Sequence, residues 1–251
     1  FGNRSYAFGG PGDYITIPDS RSWKFGLWDF NIDFWVRFKD VSAPRGLIGQ
    51  ILDNDNLWEV IYDNSANKLH FLAMEGGEAR VDITCSWAPA INTWYHLSVS
   101  RSGTSMIICI DGIKQALTEP TPIGSSAMPS ISAPLYLGRA RLSDDWRYHR
   151  GYIDEVRIYK NKSVWSHSFE VPIAEHLDGY RNRIGDDCVL LIPADGENNS
   201  TTFTDVSRAQ HAITAHAHAK ISTAQYKFGG SSAYFDGDGD YLSIPDSDDW
   251  N

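Results

Sequence analysis

The amino-acid sequence predicts an all-β protein, an antiparallel two-sheet sandwich of the jelly-roll type. Polar and apolar residues alternate along many segments; in residues 30–38, every second residue is phenylalanine, isoleucine or valine. A period of two is typical of a strand with one buried face. Turn-forming residues separate these segments, as in residues 64–67 and 101–104. A hydrophobic fraction of 42% is enough for a large core.

Strand signals run along the whole chain, and only residues 168–176 suggest a short helix. The closely spaced pairs 57–63 with 68–73, and 93–101 with 105–112, predict hairpins. The predicted strands are residues 30–38, 57–63, 68–73, 79–85, 93–101, 105–112, 135–140, 151–160, 188–195, 212–221 and 232–244.

The chain begins and ends on nearly the same sequence. "YITIPDS" at residues 14–20 returns as "YLSIPDS" at residues 241–247, an offset of 227. At that offset, 13 of the 24 overlapping residues are identical without a gap. A period of this length suits one domain rather than a solenoid repeat. The sequence therefore predicts a tandem-repeat protein with parts of two copies, divided near residue 185.

Charge and composition exclude several classes. The formal net charge of −10 argues against nucleic acid, whose phosphates require a basic surface. No apolar run approaches the roughly 18–20 residues that span a membrane.

Three cysteines, Cys85, Cys109 and Cys188, leave two alternatives open. Cys85 and Cys109 form a cross-strand disulfide, or all three are separate small hydrophobic residues.

Five segments resemble a known family in their order along the chain. They are "FGGPGDYITIPDS", "FNIDFWVRF", "INTWYHLSVSRSGTSMIICIDG", "LYLGRA" and "GYIDEVRIY". This order is similar to that of laminin-G-like jelly rolls in the concanavalin A-like lectin/glucanase superfamily. The resemblance implies two antiparallel sheets packed face to face, and a non-catalytic binding or adhesion role. Such modules often occur in series in secreted bacterial proteins and phage virion proteins.

The resemblance also predicts the domain organisation. Family members open with a strand similar to residues 189–194, and nothing equivalent precedes residue 1. Residues 1–184 are therefore predicted to be a jelly roll without its first strand, and residues 185–251 the start of a second copy. Residues 188–227 either fold back to fill the empty edge or insert into a neighbouring molecule. The copies 1–24 and 228–251 are expected to compete for one position in the sheet.

A structural calcium ion is the one cofactor that the resemblance implies. Asp154 occupies the late strand where relatives place a calcium ligand, and Asp13 and its repeat Asp240 are weaker candidates. The alternation predicts that Asp154 shares the buried face with Tyr152, Val156 and Ile158. A buried carboxylate needs a metal or another partner. An ion pair with Arg157 or Arg139 is the alternative.

Two polar loops that contain aromatic residues are candidates for sugar binding, because a ring stacks on a sugar while polar groups bind its hydroxyls. The alternative is that these aromatic rings cover a sheet edge or contact protein. The first loop supplies Asp144, Asp145, Trp146, Arg147, Tyr148 and His149, and the second supplies Asp53, Asp55 and Trp58.

Catalysis is not predicted. Retaining glycosidases need two carboxylates about 5–5.5 Å apart, which acids at alternate positions of one strand provide. No predicted strand carries that pattern. The sequence therefore predicts a non-catalytic module, at the cell exterior or on a virion, that binds surface glycans. The alternatives are a structural subunit that assembles with copies of itself by strand complementation and, less favoured, a glycosidase.

Overall fold

The computed structural model describes residues 5–9, 12–140, 147–171, 188–207, 210–227, 229–234 and 241–244. They form an all-β sandwich of two main sheets, which confirms the predicted fold class. The strands are β1 (Tyr6–Phe8), β2 (Ile15–Ile17), β3 (Phe30–Phe38), β4 (Arg45–Ile51), β5 (Leu57–Asp63), β6 (Lys68–Glu75), β7 (Glu78–Ser86), β8 (Trp94–Ser102), β9 (Ser105–Ile110), β10 (Ile113–Lys114), β11 (Thr118–Thr121), β12 (Leu135–Leu137), β13 (Arg139–Ala140), β14 (Arg147–Tyr148), β15 (Gly151–Lys160), β16 (Cys188–Leu191), β17 (Thr214–His216), β18 (Lys220–Ser222), β19 (Ser232–Tyr234) and β20 (Tyr241–Ser243).

One main sheet has nine strands and the other has seven. The nine-stranded sheet runs β10-β9-β8-β3-β15-β1-β19-β18, and β16 also pairs with β15. The seven-stranded sheet runs β11-β7-β6-β5-β4-β12-β2. The described residues also form two small two-stranded sheets, β13-β14 and β17-β20.

The core lies between the two main sheets and is rich in aromatic rings. Phe25 stacks on Phe30 at 4.3 Å between ring centroids, and Trp58 lies 5.7 Å from Phe25. The described residues contain no α-helix; a single 3-10 helix spans Arg21–Trp23. The helix predicted at 168–176 is absent from residues 168–171, and the remainder lies outside the described residues. No helix in the described part of the chain is long and apolar enough to cross a membrane.

The outer edge of β15 is shared by two short strands from distant parts of the chain. Antiparallel to β15, β1 pairs with Gly151–Ile153 and β16 pairs with Arg157–Tyr159. The C-terminal segment 188–244 also contributes to the main core. Leu190, Ile192 and Ile221 are buried in the same cluster as Phe30. The described sandwich is thus built from both ends of the chain.

Both copies of the repeated sequence have a place in this sandwich. β19 pairs in parallel with β1, and Ala7 lies opposite Tyr234, its equivalent at the offset of 227. β20 lies next to β2 at the edge of the seven-stranded sheet. The expectation that the two copies compete for one position is therefore wrong, because the second copy extends the sheet beyond the first.

All three cysteines are buried and free. Cys85 faces the main core from β7, whereas Cys109 lies on β9 in the opposite sheet. Of the two alternatives that the sequence leaves open, the structure therefore has the second, in which the cysteines are separate small hydrophobic residues.

We predict that Ile221→Ala destabilises the whole sandwich by about 2–5 kcal/mol, the usual cost of removing a buried isoleucine side chain. Thermal or urea unfolding should remain a single transition, because residue 221 packs in the common core. The matched control Ile113→Ala changes a side chain that is 63% exposed and should cost no more than about 0.5 kcal/mol. A separate early transition for the C-terminal segment would contradict the prediction.

Candidate functional site

Three tyrosines and one arginine meet on the outer face of the seven-stranded sheet. We call Tyr14, Tyr136, Tyr148 and Arg139 the tyrosine–arginine cluster. The Arg139 guanidinium carbon lies 4.4 Å from the ring centroid of Tyr14 and 4.8 Å from that of Tyr136. The centroid of Tyr14 lies 5.8 Å from that of Tyr136 and 6.2 Å from that of Tyr148. The three tyrosines are half-buried, so each keeps some ring surface for a ligand.

Strand register brings the cluster together. Leu135 and Leu137 face the core, so Tyr136 between them faces outward. Tyr136 lies between Thr16 of β2 and Gly49 of β4. The next turn of the chain depends on Gly138, whose φ of +79° is in the left-handed region. That turn directs the chain into β13, where Arg139 pairs with Tyr148 of β14.

Acidic and basic groups lie beside the cluster on the same face. In register across the sheet, Gly49 lies opposite Glu59, Glu59 opposite Leu72, and Leu72 opposite Asp82. Glu59 is buried, whereas Asp82 is half-buried and lies 2.9 Å from His70 Nε2. The half-buried Asp82 and His70 offer carboxylate and imidazole groups as hydrogen-bonding partners to a ligand on this face, whereas the buried Glu59 does not.

Arg147 joins the same face from β14. Burial tends to raise the pKa of Asp63, but hydrogen bonds from Ser65 and the charges of Arg147 and His70 hold it below its usual value. The Arg147 side chain is half-buried, so its guanidinium group keeps some exposed surface for ligands on the sheet face.

A small apolar floor borders these polar groups. Ile51, Leu57 and Leu72 form a buried cluster on the outer face, against which Met74 and Tyr136 pack. Because Leu72 separates Glu59 from Asp82, apolar and charged surfaces alternate here. Such a mixture suits an amphipathic ligand better than a purely ionic one.

The first predicted loop contributes two residues to the cluster's surroundings. Tyr148 is a member of the cluster and Arg147 is its neighbour on β14, while Asp144, Asp145 and Trp146 lie outside the described residues. The hypothesis for His149 is wrong, because its side chain is 0% exposed. Its ring packs edge-on against Phe8 at 5.6 Å and Phe38 at 5.1 Å between centroids. His149 is therefore part of the core and cannot bind a ligand.

The second predicted loop does not form a site with its tryptophan. Trp58 is 0% exposed, and its indole Nε1 donates to Gln50 Oε1 at 3.3 Å. The interpretation of Trp58 as a sugar-stacking ring is therefore wrong, because Trp58 faces the main core together with Val60 and Tyr62 of the same strand. Asp53 and Asp55 are exposed, and Asp53 Oδ1 accepts hydrogen bonds from the backbone of Asp55 and the side chain of Asn56.

A β-bulge changes the orientation expected for Asp154. Glu155 has a φ of +50°, and the β15–β3 register shifts between Asp154 and Arg157. Asp154 therefore faces away from the core, whereas Val156 and Ile158 face into it. The predicted common face is wrong for this reason. Arg157 does not pair with Asp154 either; it binds Asp33.

The structural calcium ion expected at Asp154, Asp13 or Asp240 stays a prediction. Asp154 is fully buried and accepts backbone hydrogen bonds from Glu155 at 2.9 Å and Lys227 at 3.3 Å. Burial and the neighbouring Glu155 raise its pKa well above the usual value. Asp13 accepts a hydrogen bond from the backbone of Gly9, and Asp240 lies outside the described residues. Within those residues, no group of three or more acidic, histidine or cysteine side chains could hold a metal ion.

Sequence reasoning missed Tyr14, Tyr136 and Arg139. A signal was present, because Tyr136 alternates with two buried leucines, and Tyr14 and Thr16 alternate with the buried Ile15 and Ile17. Alternation indicates that such tyrosines face outward. It does not indicate that β12 pairs with both β2 and β4, which is what brings the rings together.

We predict that Gly138→Ala destabilises the chain by about 2–4 kcal/mol. The new methyl group would overlap the Phe8 ring, and φ is unfavourable for any residue with a side chain. Gly124→Ala is the matched control. Its φ is also positive, at +49°, but an added Cβ meets nothing within 4 Å, so we expect a loss of about 1 kcal/mol. If urea unfolding shows that both variants lose the same free energy of unfolding, the predicted overlap with Phe8 is contradicted.

We predict that His149 makes the fold sensitive to acid. Burial, aided by the charge of Arg45, lowers the pKa of His149 from 6.5 to about 3. The unfolded chain therefore binds this proton first, and stability is lost as pH falls from about 6.5 to about 3, by up to about 5 kcal/mol. His149→Phe keeps an aromatic ring without the proton and should flatten this part of the pH–stability curve. Identical curves for both proteins would contradict the prediction.

Comparison with known proteins agrees with this architecture. A laminin G family model, described as the concanavalin A-like lectin/glucanases superfamily, matches residues 8–165. A search of the curated proteins finds no match.

The similar solved structures are distant in sequence. One, from Bacteroides ovatus ATCC 8483 and provisionally named a carbohydrate binding protein, has 14% identity and a TM-score of 0.53. The match covers 77% of this chain and 53% of that one, so this chain spans about half of its length. Domains LG4-5 of the mouse laminin alpha1 chain have 18% identity and a TM-score of 0.48, covering 67% of this chain and 46% of that one. The family match spans more than half of the residues, and the chain belongs to the concanavalin A-like lectin/glucanase superfamily.

Proposed function

We propose that this protein is a non-catalytic module that binds glycans through the tyrosine–arginine cluster. The observation that carries the proposal is the arrangement of Tyr14, Tyr136 and Tyr148 around Arg139 on the outer face of the seven-stranded sheet. The Bacteroides ovatus relative, named for carbohydrate binding, supports the same class of ligand.

The cluster has the chemistry that a sugar requires. Tyrosine rings stack on the apolar face of a pyranose, and each phenol can donate or accept a hydrogen bond. Burial lowers the pKa of Arg139, and the adjacent tyrosines oppose that effect, so its guanidinium remains a charged donor held by two rings. A site on paired strands is ordered before the ligand arrives, which reduces the entropy cost of binding.

The acidic groups on this face favour binding over hydrolysis. Asp82 interacts with His70, and Asp63 accepts hydrogen bonds from Ser65. Glu59 is fully buried, with no exposed surface for a substrate. A general acid and its partner carboxylate must both reach the scissile bond. Glycosidase activity is accordingly the minor alternative.

The setting we propose is extracellular or on a virion surface, with the module in a tandem-repeat protein. The parallel pairing of β1 with β19 supports a second candidate role as a structural subunit that assembles by strand complementation. In that role the partners are neighbouring copies of the chain rather than glycans, and β16 is the strand donated to the edge of β15.

We predict that Tyr136→Ala weakens binding to the preferred glycan at least fivefold to tenfold, because it removes a ring that contacts both Arg139 and Tyr14. A glycan array identifies the sugar, and titration calorimetry then measures its affinity for both proteins. The matched control is Tyr226→Ala, which removes a tyrosine that is 44% exposed and outside the cluster. Its affinity should equal that of the unmodified chain.

Uniform absence of binding across the array would overturn the glycan proposal. Light scattering on the same preparation distinguishes the structural alternative, for which mass should rise with concentration. A glycan binder that acts through the cluster should keep a constant mass over the same range.

A further inference from the structure

A second group of aromatic and cationic residues crosses the opposite sheet. On the nine-stranded sheet, register places Trp94 opposite Arg37, Arg37 opposite Tyr152, and Tyr152 opposite Ala7. The row continues into the second copy of the repeat, where Ala7 lies opposite Tyr234 and Tyr234 opposite Lys220. We call these six residues the cation–aromatic row.

The whole row faces away from the core. The residues flanking it along their strands, such as Val36, Phe38 and Ile153, are buried in the main core. Tyr6, Phe8, Ala233 and Ile221 are buried in the same cluster. Because side chains alternate along a strand, the members of the row lie on the outer face. Six neighbouring strands at about 4.8 Å spacing give the row a length of about 24 Å.

Aromatic rings hold in place the two cations of the row, Arg37 and Lys220, and a third cation beside it, Lys39. The Arg37 guanidinium carbon lies 5.3 Å from the Tyr152 ring centroid, and Lys39 Nζ lies 4.9 Å from the same centroid. Lys220 Nζ lies 5.6 Å from the centroid of Tyr234. Arg37 Nε also donates to the backbone oxygen of Asn92 at 3.0 Å. These contacts order long side chains that would otherwise lose rotamer entropy when a ligand binds.

The two ends of the row are accessible and carry positive charge, whereas Tyr152 and Ala7 in its middle are 5% and 9% exposed. Tyr234 is 38% exposed, Lys39 is exposed, and Trp94, Arg37 and Lys220 are half-buried. No member of the row is acidic, whereas the chain as a whole carries a formal charge of −10. A further cation lies beside the row, because Lys227 Nζ is 4.3 Å from the ring centroid of Trp35.

We propose that the cation–aromatic row is a second binding site, for a linear anionic polysaccharide. Arg37, Lys39 and Lys220 bind its carboxylate or sulfate groups, because a guanidinium or ammonium forms charge-assisted hydrogen bonds with them. The partly exposed rings of Trp94 and Tyr234 stack on its sugar units.

A polysaccharide fits this surface better than a nucleic acid does. Nucleic acid needs many phosphate contacts on a broadly basic surface, and the remainder of this chain repels phosphate. A polysaccharide also presents apolar sugar faces, which match the partly exposed rings of Trp94 and Tyr234. This site lies on the opposite sheet from the tyrosine–arginine cluster and stands independently of the proposed function.

The test compares dextran sulfate with uncharged dextran, using the intact chain in titration calorimetry. We expect binding to dextran sulfate only, weakened by added salt because the charges are close to solvent. Lys39→Ala combined with Lys220→Ala should reduce the affinity about tenfold or more. Arg80→Gln, which removes an exposed cation from β7 of the other sheet, is the matched control and should change nothing.

Three results would overturn the proposal. They are equal affinity for dextran sulfate and uncharged dextran, a loss of affinity with Arg80→Gln as large as with the double lysine variant, and a single-stranded DNA oligonucleotide that binds as tightly as dextran sulfate. Lys39 is exposed, so its replacement should leave the melting temperature unchanged and the folded state intact. Tyr136→Ala should not affect dextran sulfate binding. A failure of the tyrosine–arginine cluster is therefore distinguishable from a failure of the cation–aromatic row.

Discussion

The edge of β15 is the constraint on which the rest of this sandwich depends. A ten-residue strand inside a sheet must pair its backbone on both sides, because unpaired buried amides are costly. β3 pairs along one side of β15, with a register shift at the bulge, and the other side is divided between β1 and β16. The division explains why segments 180 residues apart in sequence meet here. It also explains why the core includes residues beyond the family match, which ends at residue 165.

The same strand carries a buried ionic network on its outer face. Arg157 Nε donates to Asp33 Oδ1 at 2.7 Å, and His96 Nε2 lies 3.2 Å from that oxygen. Asn31 Nδ2 donates to Asp33 Oδ2 at 2.5 Å. Burial acts to raise the pKa of Asp33, but Arg157 and His96 outweigh it and hold the pKa below its usual value. Removing Arg157 would leave the buried carboxylate of Asp33 without its cation, so the network fixes the β3–β15 register as well as the local charge.

Sequence patterns predicted the elements better than their arrangement. Period-two alternation gave residues 30–38 and 57–63 the bounds that β3 and β5 have. It missed β4, because Gly46 and Gly49 interrupt the pattern of "RGLIGQI". It misoriented Asp154, because a bulge at Glu155 shifts the alternation and no local residue type signals one.

The candidate site was only partly predictable for a related reason. Arg147 and Tyr148 were identified from a polar aromatic loop, yet their neighbours Tyr14 and Tyr136 come from strands over 100 residues apart. Pairing between distant strands is a tertiary property that a single sequence does not encode locally. His149 and Trp58 were misassigned because polar neighbours in sequence do not imply exposure in the fold.

The three free thiols make the native chain nearly inert to alkylating reagents. Burial raises the pKa of Cys85 and of Cys109 to about 11, and that of Cys188 to about 12, so little thiolate exists at neutral pH. Cys85 lies in the seven-stranded sheet and Cys109 on β9 of the nine-stranded sheet, while Cys188 lies on β16, the strand that the C-terminal segment adds to that second sheet. Each becomes reactive only when its own region opens. The chain thus carries three natural reporters that can resolve, without any introduced label, whether its two sheets and its C-terminal strand separate together or in sequence.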